Sequence, residues 1–173
     1  MVEIRNVTLE DAEAILKIYE YYVLNTAITF EVEVPSLNEF KNRMEKISSK
    51  YPYICLLENN KIVGYSYSHE FYGREAYKFS NEVTIYIDKD YQGKGYARLL
   101  YNELEKRLKE KGILNLYACI AVTDHKDCNL TNNSEEFHKH FGYKRIGLFT
   151  KCGYKFNKWY DMIWMEKMIG NHN

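Results

Sequence analysis

Apolar positions recur along this chain at strand spacing and helix spacing in turn, and the order of the two lays out an α/β arrangement. A short first strand, Val2 to Asn6, leads into Thr8-Leu9-Glu10-Asp11, a capping-box-like helix start. Ala12, Ile15, Ile18, Tyr19 and Tyr22 then fall at helical spacing and mark one buried face. Pro35-Ser36-Leu37-Asn38-Glu39 opens a second helix whose stripe is Leu37, Phe40, Met44 and Ile47. Two strands, Tyr53 to Glu58 and Lys61 to Ser68, are joined by Asn59-Asn60, a hairpin turn signal. A central strand is expected from about Asn81 to Asp88, followed by a helix through Leu104, Leu108 and Lys111 that Gly112 caps in the left-handed region. Leu114 to Ala121 is another apolar strand, Thr123 to Asn133 a polar loop, and Ser134 to Phe141 a helix ending at Gly142. Two last strands, Lys144 to Phe149 and Met162 to Met168, are expected to flank an aromatic loop around Trp159. No repeat or linker interrupts this order, so residues 1–173 are expected to form a single domain.

Charge narrows the partners. Lys+Arg and Asp+Glu both number 24, so no net field draws in nucleic acid or an anionic membrane, and an anionic cofactor must be held by local donors. Met1-Val2-Glu3-Ile4-Arg5 begins as a charged strand rather than a signal peptide, and no apolar run approaches the ~20 residues that cross a bilayer. Cys55, Cys119, Cys128 and Cys152 are scattered without a Cys-x-x-Cys pair and read as reduced thiols of a cytoplasmic protein. His125-x-x-Cys128 and His138-x-His140 match no recognised metal spacing.

The most informative stretch is Val83-Thr84-Ile85-Tyr86-Ile87-Asp88, then Tyr91-Gln92-Gly93-Lys94-Gly95-Tyr96-Ala97, then Arg98-Leu99-Leu100. It reads as a strand, a glycine-punctuated turn and the first turn of a helix. Glycines at a helix entrance let the backbone turn tightly and leave N–H groups pointing outward, with the positive end of the helix dipole behind them. That is an anion site suited to a pyrophosphate. A Rossmann fingerprint is excluded by Arg98 at the third glycine position, and a Walker A loop by Gly95 after Lys94.

The spacing Gln-x-x-Gly-x-Ala over Gln92, Gly95 and Ala97 resembles the coenzyme A signature of the GNAT superfamily of N-acetyltransferases. Ile28-Thr29-Phe30-Glu31, Tyr51-Pro52-Tyr53, Arg74-Glu75-Ala76-Tyr77, Glu82 to Ile87, Phe137-His138 with Gly142-Tyr143, and Gly153-Tyr154-Lys155-Phe156 with Trp159 extend the resemblance to the phosphinothricin acetyltransferase branch. The resemblance implies the GNAT fold, a mixed central β-sheet with helices on both faces. It also implies acetyl transfer from acetyl-CoA to the amine of a small amino-acid-like substrate in a ternary complex, without a metal, in a homodimer.

Carried over residue by residue, the resemblance makes Glu82 the general base and His138 an aid to proton transfer or to orientation of the coenzyme. The coenzyme would lie along Ile85, Tyr86 and Ile87 and over Gln92, Gly93, Lys94, Gly95, Tyr96, Ala97 and Arg98. The branch carries Asn-x-x-Ser near the pantetheine, whereas here Thr131 stands three before Ser134; the late contact is therefore assigned to Asn132 and Ser134. Arg74 resembles the arginine that holds the substrate's carboxylate, with Phe30, Tyr77 and Trp159 as pocket walls. Taken alone, Glu82 is a strand-end glutamate, Arg74 a solvated charge and His138 a structural histidine. Two other functions stay open: acetylation of peptide or protein N-termini, and a coenzyme-binding sensor module that has lost catalysis.

Overall fold

A computed structural model describes residues 1–172, and their backbone follows the spacings of the sequence through most of the chain. β1 (Val2–Asn6) leads through a 3-10 turn at Leu9–Asp11 into α1 (Ala12–Asn25). The expected capping box is present: the Thr8 N–H donates to Asp11 Oδ2 at 2.8 Å, and Arg5 grips the same carboxylate at 2.7 and 2.8 Å. α2 (Leu37–Ser48) begins where Ser36 Oγ accepts the Glu39 N–H at 3.2 Å. β2 (Tyr53–Glu58) and β3 (Lys61–Glu70) meet at Asn59 and Asn60, whose φ of 50° and 66° give the primed hairpin turn that the pair of asparagines signals. β4 (Ser80–Ile87), α3 (Tyr96–Glu110), β5 (Asn115–Val122), α4 (Asn133–His140), β6 (Lys144–Lys155) and β7 (Lys158–Met168) complete the order.

Among the described residues these strands form one sheet in the order β1-β2-β3-β4-β5-β7-β6, antiparallel except for the β4–β5 pair. β2 is apolar on both faces because both are covered. Tyr53, Cys55 and Leu57 pack with α1 and α2, whereas Ile54 and Leu56 pack with Leu100, Leu104 and Leu108 of α3. The fold is thus a mixed sheet with helices on both faces.

One expectation is corrected. The segment around Trp159 is not a loop: β6 and β7 are 12 and 11 residues long and join through Phe156-Asn157, at φ 51° and 60°. A phenylalanine in the left-handed region is uncommon, so the turn hides from a search for Asn-Gly or Asp-Gly. Register shifts between Arg145 and Gly147 and between Phe149 and Gly153 also break the alternation that marks a strand.

The feature that positions the site is a split in the sheet. β4 and β5 pair only at Ser80, Asn81 and Glu82, against Asn115, Leu116 and Tyr117. Beyond Glu82, β4 stays with β3 as far as Ile87, while β5 stays with β7 as far as Val122, so the two parallel strands part. Ligands of open α/β sheets bind at such carboxyl-end openings.

Candidate active site

A cavity of about 340 Å³ fills the split and runs through the sheet. Thr29 and Phe30 wall it on the α1–α2 side, and Tyr101, Ser134 and His138 on the α3–α4 side. Strand alternation sorts β4 between the two faces. Glu82, Thr84 and Tyr86 point toward α1, where Tyr86 packs on Tyr19 and Tyr22 with ring centroids 5.2 and 4.9 Å apart; Val83 and Ile85 point toward α3. Glu82 stands where the strands part, its side chain 22% exposed. Among the described residues no hydrogen bond holds its carboxylate, and burial raises its pKa above the usual carboxylate range while nearby His69 opposes the rise.

The same alternation fixes the backbone donors. The Asp88 N–H donates to Val63 and the Ser80 carbonyl accepts from Phe71, so the even-numbered residues of β4 bond to β3. Ile85 and Ile87, beyond the last residues paired with β5, therefore turn their N–H groups toward the β5 side, where no strand is paired.

At the end of β4 the chain enters the glycine turn. Gly93 and Gly95 sit at φ 75° and 81°, and Gly95 is the residue just before α3. Among the described residues no backbone carbonyl accepts from the N–H of Gly93, Lys94, Gly95, Tyr96 or Ala97; the first helical bonds are those of Arg98 and Leu99 to the Gly95 carbonyl. These donors form a concave anion cradle at a helix N-terminus, with exposed Arg98 beside it. Lys94 is committed elsewhere, to Glu58 at 3.2 Å, which also accepts the Tyr96 hydroxyl. Gln92 is turned inward: its amide donates to the Tyr22 hydroxyl at 2.9 Å, and that hydroxyl donates to the Ile87 carbonyl. Gln92 thereby ties the turn to the strand, and Tyr22 is a site residue that sequence spacing places only in the core of α1.

His138 lines the cavity at 3% exposure with both ring nitrogens occupied. Nδ1 lies 2.7 Å from the Ser134 carbonyl, which only accepts, so Nδ1 carries the hydrogen and Nε2 accepts from the Tyr101 hydroxyl at 2.9 Å. Burial lowers its pKa to about 4, and the ring is neutral at pH 7. Below pH 6.5 the unfolded chain binds a proton that the native ring refuses. Stability is therefore full above about pH 6.5 and declines toward pH 4, by about 3 kcal/mol for this shift. Urea titrations of wild type and His138→Gln across that window should show the extra acid loss in the wild type alone; parallel curves would mean the ring titrates normally.

The remaining predicted residues divide. Phe30 and Ser134 line the cavity, and Phe30 lies so close over Gly153 that a Cβ there would meet its ring at 2.4 Å. The Asn132 amide closes the polar loop, donating to the Thr123 carbonyl at 2.9 Å and accepting its N–H at 3.1 Å. Arg74 and Tyr77 are exposed on the β3–β4 connection, outside the cavity lining, and among the described residues Arg74 has no ion pair. Trp159, 57% exposed, packs on Tyr154 rather than into the cavity.

Sequence spacing alone also misses His69, Tyr67, Tyr101 and Cys119, all cavity-lining. Cys119 is open to solvent at its surface, yet desolvation by the surrounding protein, followed by the nearby Glu82 charge, pushes its thiol up to about 12. A second cavity, of about 420 Å³ between α2 and the β2–β3 strands, shares Tyr67 and His69 with the first. Among the described residues no group of three or more His, Cys, Asp or Glu is placed to hold a metal ion, and no helix is long and apolar enough to cross a membrane.

Comparison with known proteins bears directly on this arrangement. The sequence pattern of the acetyltransferase (GNAT) domain matches residues 4–164. A phosphinothricin N-acetyltransferase of Streptomyces coelicolor is 28% identical over 172 residues, 97% of this chain and 96% of that protein. An L-methionine sulfoximine/L-methionine sulfone acetyltransferase of Salmonella typhimurium is 24% identical over 166 residues, 94% of this chain and 91% of that one. Among solved structures, a GNAT superfamily phosphinothricin acetyltransferase from Sinorhizobium meliloti in complex with AcCoA superposes with a TM-score of 0.89 at 30% identity, covering 98% of this chain and 89% of that one.

Proposed function

Because this chain belongs to the acetyltransferase (GNAT) family and is an acetyl-CoA-dependent acetyltransferase, we propose that its acceptor is the α-amine of a small amino-acid-like molecule and that transfer is direct. The observation that carries this reading is the cavity through the sheet. It has a half-buried carboxylate that no hydrogen bond holds, Glu82, on the α1–α2 face, and free backbone donors at Ile85 and Ile87, with the glycine turn just beyond the end of β4.

The residues fit the coenzyme. The Gly93–Ala97 donors and Arg98 suit its pyrophosphate, and Ile85 and Ile87 offer the unpaired strand edge that a pantetheine chain with its amides needs. Bound acetyl-CoA supplies an activated thioester. The Ile85 N–H faces the gap where the thioester oxygen gathers charge, and it stabilises that charge. Glu82 takes a proton from the acceptor's ammonium, the amine nitrogen bonds to the acetyl carbon, and the carbon–sulfur bond breaks to release a thiolate. A raised pKa makes Glu82 a stronger base near neutrality than an exposed glutamate. Cys119, protonated up to high pH, is a poor carrier of the acetyl group, which favours direct transfer over an acetyl-enzyme. Initial rates with both substrates varied should give intersecting double-reciprocal lines; parallel lines would point to an acetyl-enzyme instead.

Arg74 is the cation proposed for the acceptor's carboxylate, reaching it from the β3–β4 connection of this chain or of a second copy. Arg74→Ala should raise KM for amino acids far more than for amines lacking a carboxylate, and equal effects on both would remove Arg74 from that role. A homodimer is proposed on the exposed Ile146, Leu148 and Phe149 of edge strand β6, and sedimentation mass tests it. A cytoplasmic location is proposed on the four unpaired cysteines and is checked by cell fractionation.

A further inference from the structure

The base needs somewhere to send its proton. Acetylation of an ammonium leaves one hydrogen on the amide nitrogen and releases two protons: one ends on the coenzyme thiol, the other in solvent. Glu82 receives the second in a pocket whose burial disfavours its ionised form, and it must be emptied before the next turnover.

His69 faces it. The two residues are directly opposite in the β3–β4 register, and His69 Nε2 lies 3.6 Å from Glu82 Oε2. His69 Nδ1 is 2.9 Å from the Glu70 carbonyl, which only accepts, so Nδ1 carries the hydrogen of the neutral ring. The lone pair of Nε2 is thereby aimed at the carboxyl group. His69 also borders both cavities, and its side chain is 39% exposed where that of Glu82 is 22% exposed.

We propose that His69 is the proton outlet of this site, a positioning residue that takes from Glu82 the proton removed from the acceptor amine and passes it to solvent through the second cavity. The step is a transfer from the carboxyl oxygen to Nε2, leaving imidazolium beside carboxylate; loss of the proton to water restores both groups. The proposal rests on Glu82 being the base.

The other groups around the pair leave this path clear. Tyr67 beside it on β3 and Tyr101 on α3 are kept protonated by burial, His138 on α4 is neutral, and the Cys119 thiol on β5 is protonated. Toward solvent, Glu70 of β3 pairs with Lys50 at 2.7 Å, and Glu31 of the α1–α2 segment with Arg43 of α2 at 2.5 Å. His69 is the one group among the described residues within ion-pair distance of the Glu82 carboxylate.

The test is steady-state, multiple-turnover acetylation of an amino-acid acceptor from pH 5.5 to 9 in wild type, Glu82→Gln, His69→Gln and His69→Ala, with melting temperatures recorded alongside. His69→Gln is expected to slow transfer by ~10-fold or more with acetyl-CoA affinity unchanged. Its acid limb should move to higher pH, because the protonated ring no longer favours the Glu82 carboxylate. Free imidazole should restore rate to His69→Ala and not to Glu82→Gln. A His69→Gln enzyme with the wild-type rate and pH profile, alongside a slow Glu82→Gln, overturns the outlet and leaves the base in place. A slow His69→Ala enzyme that imidazole does not restore and whose acid limb is unmoved overturns it as well. Full activity in Glu82→Gln would remove the base itself, and the outlet with it.

Discussion

Replacing Glu82 by Gln lowers turnover at least ~10²-fold, equivalent to about 3 kcal/mol of barrier, while the dissociation constant for acetyl-CoA stays within about twofold. The expectation follows from where Glu82 stands. It is on the α1–α2 face of β4, at the last residue pair before β5 departs, and the coenzyme cradle lies on the far side of Ile87. Removing its charge should not disturb the fold, because among the described residues no hydrogen bond is made to its carboxylate. Gln keeps the shape and loses the proton acceptor, so kcat falls while binding of the donor persists. Stopped-flow thiol release measures the first and calorimetry the second. An enzyme of unchanged rate would show that the acceptor arrives already deprotonated or that another group deprotonates it.

Gly95→Asp should weaken acetyl-CoA binding at least ~30-fold, about 2 kcal/mol, with little loss of the fold. Two causes add. At φ 81° a side chain costs about 1 kcal/mol of backbone strain, relieved by turning the very N–H groups that form the cradle. The new carboxylate also places a negative charge among donors meant for phosphate. Space is not the issue, since a Cβ at Gly95 would meet nothing within 4 Å. Gly95→Ala separates the causes by keeping the strain and omitting the charge, so its loss of affinity should be the smaller. Titration calorimetry on both variants reads the difference. Wild-type affinity in Gly95→Asp would place the pyrophosphate elsewhere.

The parts of this molecule that sequence spacing exposed are those governed by local rules. Gly93 and Gly95 stand where only glycine adopts the required φ without strain, and Asn59-Asn60 and the Thr8–Asp11 cap are likewise written in neighbouring residues. The last hairpin escaped because its turn begins with Phe156 and its register slips twice. The working contacts of the cavity were hidden for a different reason. Tyr22 meets Gln92 across 70 residues, Tyr101 meets His138 across 37, and His69 meets Glu82 only through strand register. In each case the residue type read as core or surface until the fold supplied its partner. His138, singled out by resemblance, lies against the cavity with Nδ1 on the Ser134 carbonyl, Nε2 on the Tyr101 hydroxyl and a pKa lowered by burial, contacts that its residue type does not announce. Arg74 was singled out by resemblance alone, and the β3–β4 connection holds it away from the cavity lining.

The central claim is acetyl transfer to small amino-acid-like amines. It is tested most directly by coenzyme A thiol release from acetyl-CoA against a panel of phosphinothricin, methionine sulfone, methionine sulfoximine, the standard amino acids, a polyamine, an aminoglycoside and a short peptide. Turnover confined to the amino acids and their analogues is the predicted result. Turnover of the peptide alone, or silence across the panel by a protein that still binds acetyl-CoA, would contradict it.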